Sequence, residues 1–402
     1  MTRIQVVSPL SRSPIGSVTP IKGFDPRFGE HYETEAFIPS DLPSCVNLPG
    51  SVWLAVSDAM AEVGRLDAAA SLIPNPQLVT RIATRREAIG TSALEGTYAN
   101  LTDLFAAEVL PLAEQEAEVA PNVREVMNYT RAADGAYSWI QERPITTGLV
   151  SSMQAEIVRG TDADGPEAGS IRKTQVFIGA KNKRIAEARF VPPPPGDQIT
   201  KLYESWVDWL TAPGPAAEMQ LIVRVALAHY QFETIHPYTD GNGRLGRLVA
   251  VLQLLREGAL RAPVLSLSPW LKDHADQYRD HLLNVSRTGD WAPWVEFFSQ
   301  AVAVEARAGH DRVMRLLALR EELGGTVRSA LPRARLAVEI TDDLIAFPIL
   351  TVAAAHGRYG RTNQANRNAI ASLVDLGILE PYGSTRYDRL YWNRRVFQEI
   401  DV

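Results

Sequence analysis

Residues 236–247 read His-Pro-Tyr-Thr-Asp-Gly-Asn-Gly-Arg-Leu-Gly-Arg. One histidine, one aspartate, three glycines, one asparagine and two arginines share twelve positions, a run too short for a domain and too polar for core. Gly241 and Gly243 open backbone angles closed to other residues. A turn of this kind entering a helix N-terminus aims several backbone N–H groups at one point, which suits a phosphate. Arg244 and Arg247 lie three apart on the helix that follows and therefore share a face. Two guanidiniums there suit a polyphosphate. Asp240 offers a hard oxygen of the sort Mg²⁺ takes. His236 titrates near neutrality and can accept a proton from an attacking hydroxyl. The parts together point to nucleotide-dependent transfer onto a hydroxyl. The run lacks the glycine-to-Gly-Lys-Ser/Thr spacing of a P-loop and follows a helix rather than a strand.

The elements around it read as helices. Apolar residues recur at three- and four-residue spacing from Val52 to Ile73, and again from Gln77 to a stop at Gly96, with Pro74 and Pro76 opening the second helix. Further helices are predicted in 123–141 and 146–160, through 197–210, and from Ala217 straight into the run. The stretch 248–258 is apolar nearly all round and predicts a buried central helix. The first 50 residues are rich in Pro, Ser and Gly and read as a loose arm. Two short extended segments, near Gln175–Ile178 and Ala188–Val191, flank a Gly- and Lys-containing turn and predict a β-hairpin closed by four prolines, Pro192 to Pro195. The last 70 or so residues suggest helix, turn, helix and a two-stranded wing, with a boundary near Gly324–Ala334.

Composition narrows the class. The 402 residues are 46% hydrophobic and 22% charged, which fits a soluble globular chain of two or three domains. A net charge of −6 argues against nucleic-acid binding by the surface as a whole. The single cysteine, Cys45, cannot build a disulfide framework or a zinc site. Met1 to Leu10 lacks a signal-peptide pattern, and no apolar run nears the ~20 residues of a membrane span. A cytoplasmic location is the expectation. The Asp162–Gly165 stretch hints at a calcium loop, but its twelfth position is Lys173 rather than glutamate. His229 reads as a core histidine, residues 289–298 as core, and Tyr278 as a residue that could approach a nucleotide base.

The 236–247 run resembles the signature of Fic (filamentation induced by cAMP) domain proteins, H-P-F-x-[D/N]-G-N-G-R-x-x-R. The one departure is Tyr238 for Phe, whose hydroxyl needs a partner if buried. The resemblance implies a mainly α fold: a Fic helical core with a β-hairpin flap, plus a C-terminal winged helix-turn-helix domain. The parts would be an arm at 1–50, a helical region with an inhibitory helix at 51–120, a catalytic core at 121–310 with its flap at 170–195, and the winged helix at 335–402. It further implies a protein adenylyltransferase that moves AMP from ATP to a Ser, Thr or Tyr hydroxyl. His236 would be the general base and Asp240 the Mg²⁺ ligand. Gly241, Asn242 and Gly243 would form the anion hole, with Asn242 positioning the α-phosphate, and Arg244 and Arg247 would bind the outer phosphates. Thr91 to Gly96 is similar to the family's inhibitory helix, [S/T]-x-x-x-E-[G/N], so that Glu95 would pair with Arg247 and occupy the γ-phosphate position. The flap, with Arg172, Ile178 and Gly179, would pair with an extended target segment. Partners implied are a target protein, the chain itself as a target, a second copy in a homodimer, and DNA through the C-terminal module, whose recognition helix would be Thr362 to Ser372. Alternatives left open are removal of AMP, another nucleotide donor, and a nucleotide-sensing DNA-binding regulator.

Overall fold

The computed structural model describes residues 9–401 apart from Pro74, Pro76, 111–114, 116–118, 180–183, 212–214 and 384–388. The two prolines expected to open the second helix, the turn of the expected flap hairpin, and Arg386 and Asp388 of the expected wing thus lie outside the described residues. The chain divides into two compact units: residues 1–61, 131–259 and 270–303 form the first, and 62–130, 260–269 and 304–402 the second.

The described chain is mostly helical. Strands β1 (Gly16–Asp25) and β2 (Glu30–Pro39) lead into α1 (Gly50–Ala70), α2 (Gln77–Leu94), α3 (Leu101–Glu108), α4 (Pro121–Ile140) and α5 (Thr147–Val158). Then come α6 (Asp197–Thr211), α7 (Leu221–Ile235), α8 (Asn242–Arg256), α9 (Ser268–Asp273), α10 (Ala275–Thr288) and the long α11 (Ala292–Ala330). The tail holds α12 (Arg335–Asp343), β3 (Ile349–Leu350), α13 (Val352–Tyr359), α14 (Asn363–Asp375), β4 (Glu380–Tyr382), β5 (Leu390–Trp392) and α15 (Arg394–Asp401).

In the first unit the expected loose arm is instead an antiparallel hairpin, paired from Gly16↔Pro39 to Asp25↔Glu30. Its turn is set locally: the Asp25 carboxylate accepts the backbone N–H of Arg27 at 3.1 Å, and Gly29 takes φ +65° to re-enter the strand. The strands are polar and carry Pro20, which a two-stranded sheet tolerates because both strands are edges. β2 also reaches the segment before the proline run, where Phe37 N–H donates to Val191 O at 2.9 Å and the Phe37 and Phe190 rings meet edge to face.

The centre of this unit is α7 and α8. Every residue of α7 but Leu221 and Glu233 is buried, and α8 is buried from Asn242 through Leu254. Helices apolar on all sides need cover on all sides. Two indoles supply part of it and spend their N–H groups on the α7 main chain: Trp206 of α6 donates to Ala228 O and Trp294 of α11 to Ala226 O, each at 2.9 Å. Tyr230 bonds Ser286 of α10 at 2.9 Å.

In the second unit α2 stops as the sequence predicts: Gly96 takes φ +94° and its N–H bonds Ala93 O at 3.0 Å. The tail carries a three-stranded antiparallel sheet of order β3-β5-β4, with α13 and α14 between β3 and β4. Asn393 ties this sheet together, donating to Ile378 O at 2.8 Å and accepting from Val396 N–H at 2.9 Å. The glycine pair near the expected boundary, Gly324 and Gly325, does not interrupt α11, which runs on to Ala330. Nor does the tail stand apart. Phe397 of α15 packs edge to face on Phe105 of α3, Arg86 of α2 donates to Ile400 O, and Arg315 of α11 pairs with Glu399 at 2.9 Å.

Trp294 is wholly buried and packs on His229 and Phe298 while its indole is hydrogen-bonded. Trp294→Ala is expected to cost about 3–5 kcal/mol, read as a large fall in the denaturant midpoint with the unfolding slope unchanged.

Candidate active site

Helix α7 ends at His236, the only non-glycine residue among those described with positive φ (50°, ψ 61°). Pro237 forces the stop, because it has no N–H and keeps its predecessor out of the helical region. The chain then reverses in five residues and re-enters a helix at Gly241, whose φ of +81° glycine tolerates without strain. All twelve residues of the run belong to the first unit.

Buried side chains hold the main chain of this loop. The Asn242 carboxamide accepts Tyr238 N–H at 3.0 Å and donates to Tyr238 O at 2.8 Å. Gln154 of α5 donates to Asp240 O at 3.0 Å. Arg172 donates through its backbone N–H to Pro237 O and through Nε to His236 O, both at 2.9 Å. The same guanidinium donates to Thr174 O at 3.0 Å and to Pro193 O. The Tyr238 hydroxyl finds the partners its burial requires, Tyr203 at 2.9 Å and Ser151 at 3.2 Å. Burial pushes both phenols above their ordinary range.

His236 Nδ1 lies 3.3 Å from Glu233 O. A carbonyl only accepts, so Nδ1 carries the proton and Nε2 is the basic nitrogen. The N–H groups of Asn242 and Gly243 stand in the first turn of α8 and have no acceptor among the described residues. They form a ready anion cradle. Asn242 therefore contributes to the cradle through its main chain, while its side chain is committed to Tyr238. Arg244 and Arg247 are buried on the first two turns of α8. Arg244 lies 3.4 Å from Asp240 Oδ1, which also accepts Gly241 N–H at 2.6 Å. The Asp240 side chain is 53% exposed, and Oδ2 has no protein partner among the described residues. No cluster of three His, Cys, Asp or Glu that could hold a metal occurs among those residues. A lone carboxylate beside an anion cradle still fits Mg²⁺, which draws most of its ligands from phosphates and water.

Beneath the site, His229 is buried and bonds Tyr278 at 2.7 Å, so Tyr278 is engaged in the core. Burial, aided by the Arg247 charge, pushes the imidazole down to about 3 and keeps it neutral. Gly246 is required by close approach, since a Cβ there would lie 2.8 Å from Glu233 Oε1 and 3.0 Å from the Phe232 ring.

The flap is shorter than the sequence predicts. Among the described residues one bridge, Ile178↔Phe190, stands in place of two strands, with a 3₁₀ turn at Ile185–Glu187 between its partners in sequence. Ile178 gives both backbone groups to this bridge, donating to Phe190 O at 2.9 Å and accepting from Arg189 N–H at 2.8 Å. Gly179 follows at φ +80°. Glu95 lies in the second unit, exposed in the turn after α2. Sequence reasoning missed Gln154, Ser151 and Tyr203 as supports. The one signal for the last two was the hydroxyl of Tyr238, which had to be satisfied from somewhere.

Two family models match the chain, Fic/DOC family N-terminal over residues 53–138 and Fic/DOC family over residues 144–254. The protein adenylyltransferase fic-1 of Caenorhabditis briggsae is 35% identical over 139 residues, 35% of this chain and 24% of that protein. The protein adenylyltransferase Fic of Culex quinquefasciatus is 33% identical over 170 residues, 41% of this chain and 30% of its own length. The chain thus spans less than a third of these curated relatives. A crystal structure of a Fic family protein from Desulfovibrio desulfuricans G20 shares the fold, with TM-score 0.53 and 22% identity over 87% of this chain and 97% of that one. A Fic domain containing signaling protein from Bacteroides thetaiotaomicron VPI-5482 gives a TM-score of 0.50 at 17% identity, covering 65% and 98%.

Two outcomes are expected. Asn242→Ala strips a buried N–H and a buried carbonyl of Tyr238 of their partners, a cost of about 1–3 kcal/mol that thermal unfolding should register. For His229 the folded value lies below the unfolded one of 6.5, so its contribution is present above that pH. It is lost as pH falls toward about 3, with a slope of up to about 1.4 kcal/mol per pH unit. The stability–pH curve of His229→Gln should be flatter than wild type by that component.

Proposed function

We propose that the chain, which matches Fic/DOC family models over residues 53–138 and 144–254, transfers AMP from ATP to a Ser, Thr or Tyr hydroxyl of a protein. The observation that carries the reading is the turn from α7 to α8. It sets a histidine with a basic Nε2 beside two acceptor-free N–H groups and two helix-borne arginines.

The target hydroxyl oxygen attacks the α-phosphorus of ATP and gives its proton to His236 Nε2. The bond from the α-phosphorus to the oxygen bridging to the β-phosphate breaks, and pyrophosphate leaves. The N–H groups of Asn242 and Gly243 hold the anion, and Arg244 and Arg247 neutralise the outer phosphates. Positioning and charge stabilisation are most of what such a transfer needs. Asp240 holds Mg²⁺, which when bound neutralises phosphate charge. The flap aligns an extended target segment. Since Ile178 has spent its backbone groups on Phe190 and Arg189, the groups open to an added strand are those of its neighbours Phe177 and Gly179. Glu95 is the brake, on the likeness of Thr91 to Gly96 to the family's inhibitory helix.

The tail from residue 335 is read as a winged helix-turn-helix that contacts protein. Arg394 pairs with Glu380 at 3.0 Å, Arg395 pairs with Glu322 through two 2.7 Å bonds, and Arg358 lies over the Phe347 ring. Three of the arginines that could have faced DNA phosphates are thus engaged within the chain. No helix among the described residues is long and apolar enough to cross a membrane.

The test incubates protein with Mg²⁺ and ATP labelled on the α-phosphate, for wild type, Glu95→Gly, and Glu95→Gly with His236→Ala. Label is expected on protein with Glu95→Gly, weakly or not at all with wild type, and not with the double variant. Absence of label in all three, with ATP binding intact, would overturn AMP transfer and turn attention to another donor or to AMP removal.

A further inference from the structure

Arg172, expected only as a flap residue, touches the turn that carries His236 at two consecutive residues. Its side chain is 1% exposed. Its partners are main-chain oxygens: Nε to His236 O at 2.9 Å, Nη1 to Thr174 O at 3.0 Å, Nη2 to Pro193 O, and its own N–H to Pro237 O at 2.9 Å. No carboxylate is among them. A buried charge without a counter-charge is costly, and an apolar side chain of similar volume would fill the space at lower cost. The guanidinium does what a filler cannot. Its rigid fork of donors ties three separate stretches of chain at fixed angles. Two of these, at Thr174 and Pro193, are the ascending and descending stems of the flap. The third is the carbonyl of the residue that carries the base.

His236 needs such a tie. It holds a left-handed backbone conformation that side-chain-bearing residues adopt only when their surroundings impose it. Asn242 fixes the loop from the far side, at Tyr238, and leaves the peptides of His236 and Pro237 to Arg172. Burial lowers the guanidinium to about 10, which still leaves it charged at neutral pH and able to donate from every nitrogen.

We propose that Arg172 is a positioning residue that locks the backbone of His236 and couples it to the flap, so that the base and the bound target segment are held in one register. The proposal rests on the AMP-transfer reading for its kinetic consequence but not for its structural one, and the experiment separates them.

Arg172→Lys and Arg172→Met are made in the Glu95→Gly background. Three quantities are read: amide hydrogen exchange at 236–241 by mass spectrometry, the Kd for ATP, and kcat against KM for AMP transfer. The expected result is exchange at 236–241 faster by tenfold or more in both variants, with α7 unchanged. The Kd and KM for ATP should stay within threefold while kcat falls at least tenfold. Lysine, which keeps the charge but not the fork, should not rescue. Unchanged exchange in the turn, or a lysine variant with more than half the parental kcat, would overturn the proposal. Unfolding of both variants would do so too, by assigning Arg172 to the stability of the unit. A parent with no AMP transfer, combined with faster exchange in the variants, would leave the positioning role standing and remove the reaction assigned to the site.

Discussion

The constraint on which the first unit turns is the burial of α7 and α8 together. Both are covered on nearly every side, so the reversal between them is buried at Pro237, Tyr238 and Gly241 and reaches solvent only at Thr239 and Asp240, and its buried peptide groups need partners from the protein. A reversal of five residues cannot form its own ladder. Its N–H and C=O groups go instead to side chains delivered from elsewhere: Asn242 from the helix ahead, Gln154 from α5, Arg172 from the flap stem. Among the described residues the N–H groups of Asn242 and Gly243, in the first turn of α8, have no acceptor, as suits an anion-binding position. The same rule of accounting that shapes the loop thus coincides with the position proposed for the anion.

The supports are layered. Tyr238 sits at the tip of the reversal with its hydroxyl on Tyr203 and Ser151, so α5 and α6 both fix its depth. Gly246 brings Glu233 and the Phe232 ring against α8, which sets how closely the two helices approach. His229 stays neutral beneath Arg247, so no proton competes there with the guanidinium for the phosphate it is read to bind.

Legibility followed the range of the interactions. The helices α1, α2, α7 and α8 showed in apolar spacing, the stop of α2 in Gly96, and the site in a contiguous run, because each depends on residues close in sequence. Pairings across long stretches left weaker marks. The β1–β2 hairpin is polar and carries Pro20, so composition read as an arm although Asp25 to Gly29 held a sound turn. Among the described residues the flap shows one bridge, and the carbonyls of Thr174, Pro192 and Pro193 beside it go to the Arg172 and Gln175 side chains rather than to a ladder. The tail clusters with α2 and α3 through Phe105 and Phe397, a contact between residues 292 positions apart that no local pattern announces. Arg172 was visible as a residue and its four acceptors were not, since carbonyl oxygens are present at every position.

Asn242 and Gly243 also form an Asn-Gly pair, the dipeptide most prone to spontaneous deamidation, in which the glycine nitrogen closes on the asparagine side chain to give a cyclic imide. Here that nitrogen belongs to a helical first turn and the carboxamide is pinned at both ends by Tyr238. Ring closure requires the turn to open. The chemical ageing of this protein at that bond is therefore governed by the rarity of that opening, and a chain that did age there would set a carboxylate oxygen against the Tyr238 carbonyl that Asn242 now donates to.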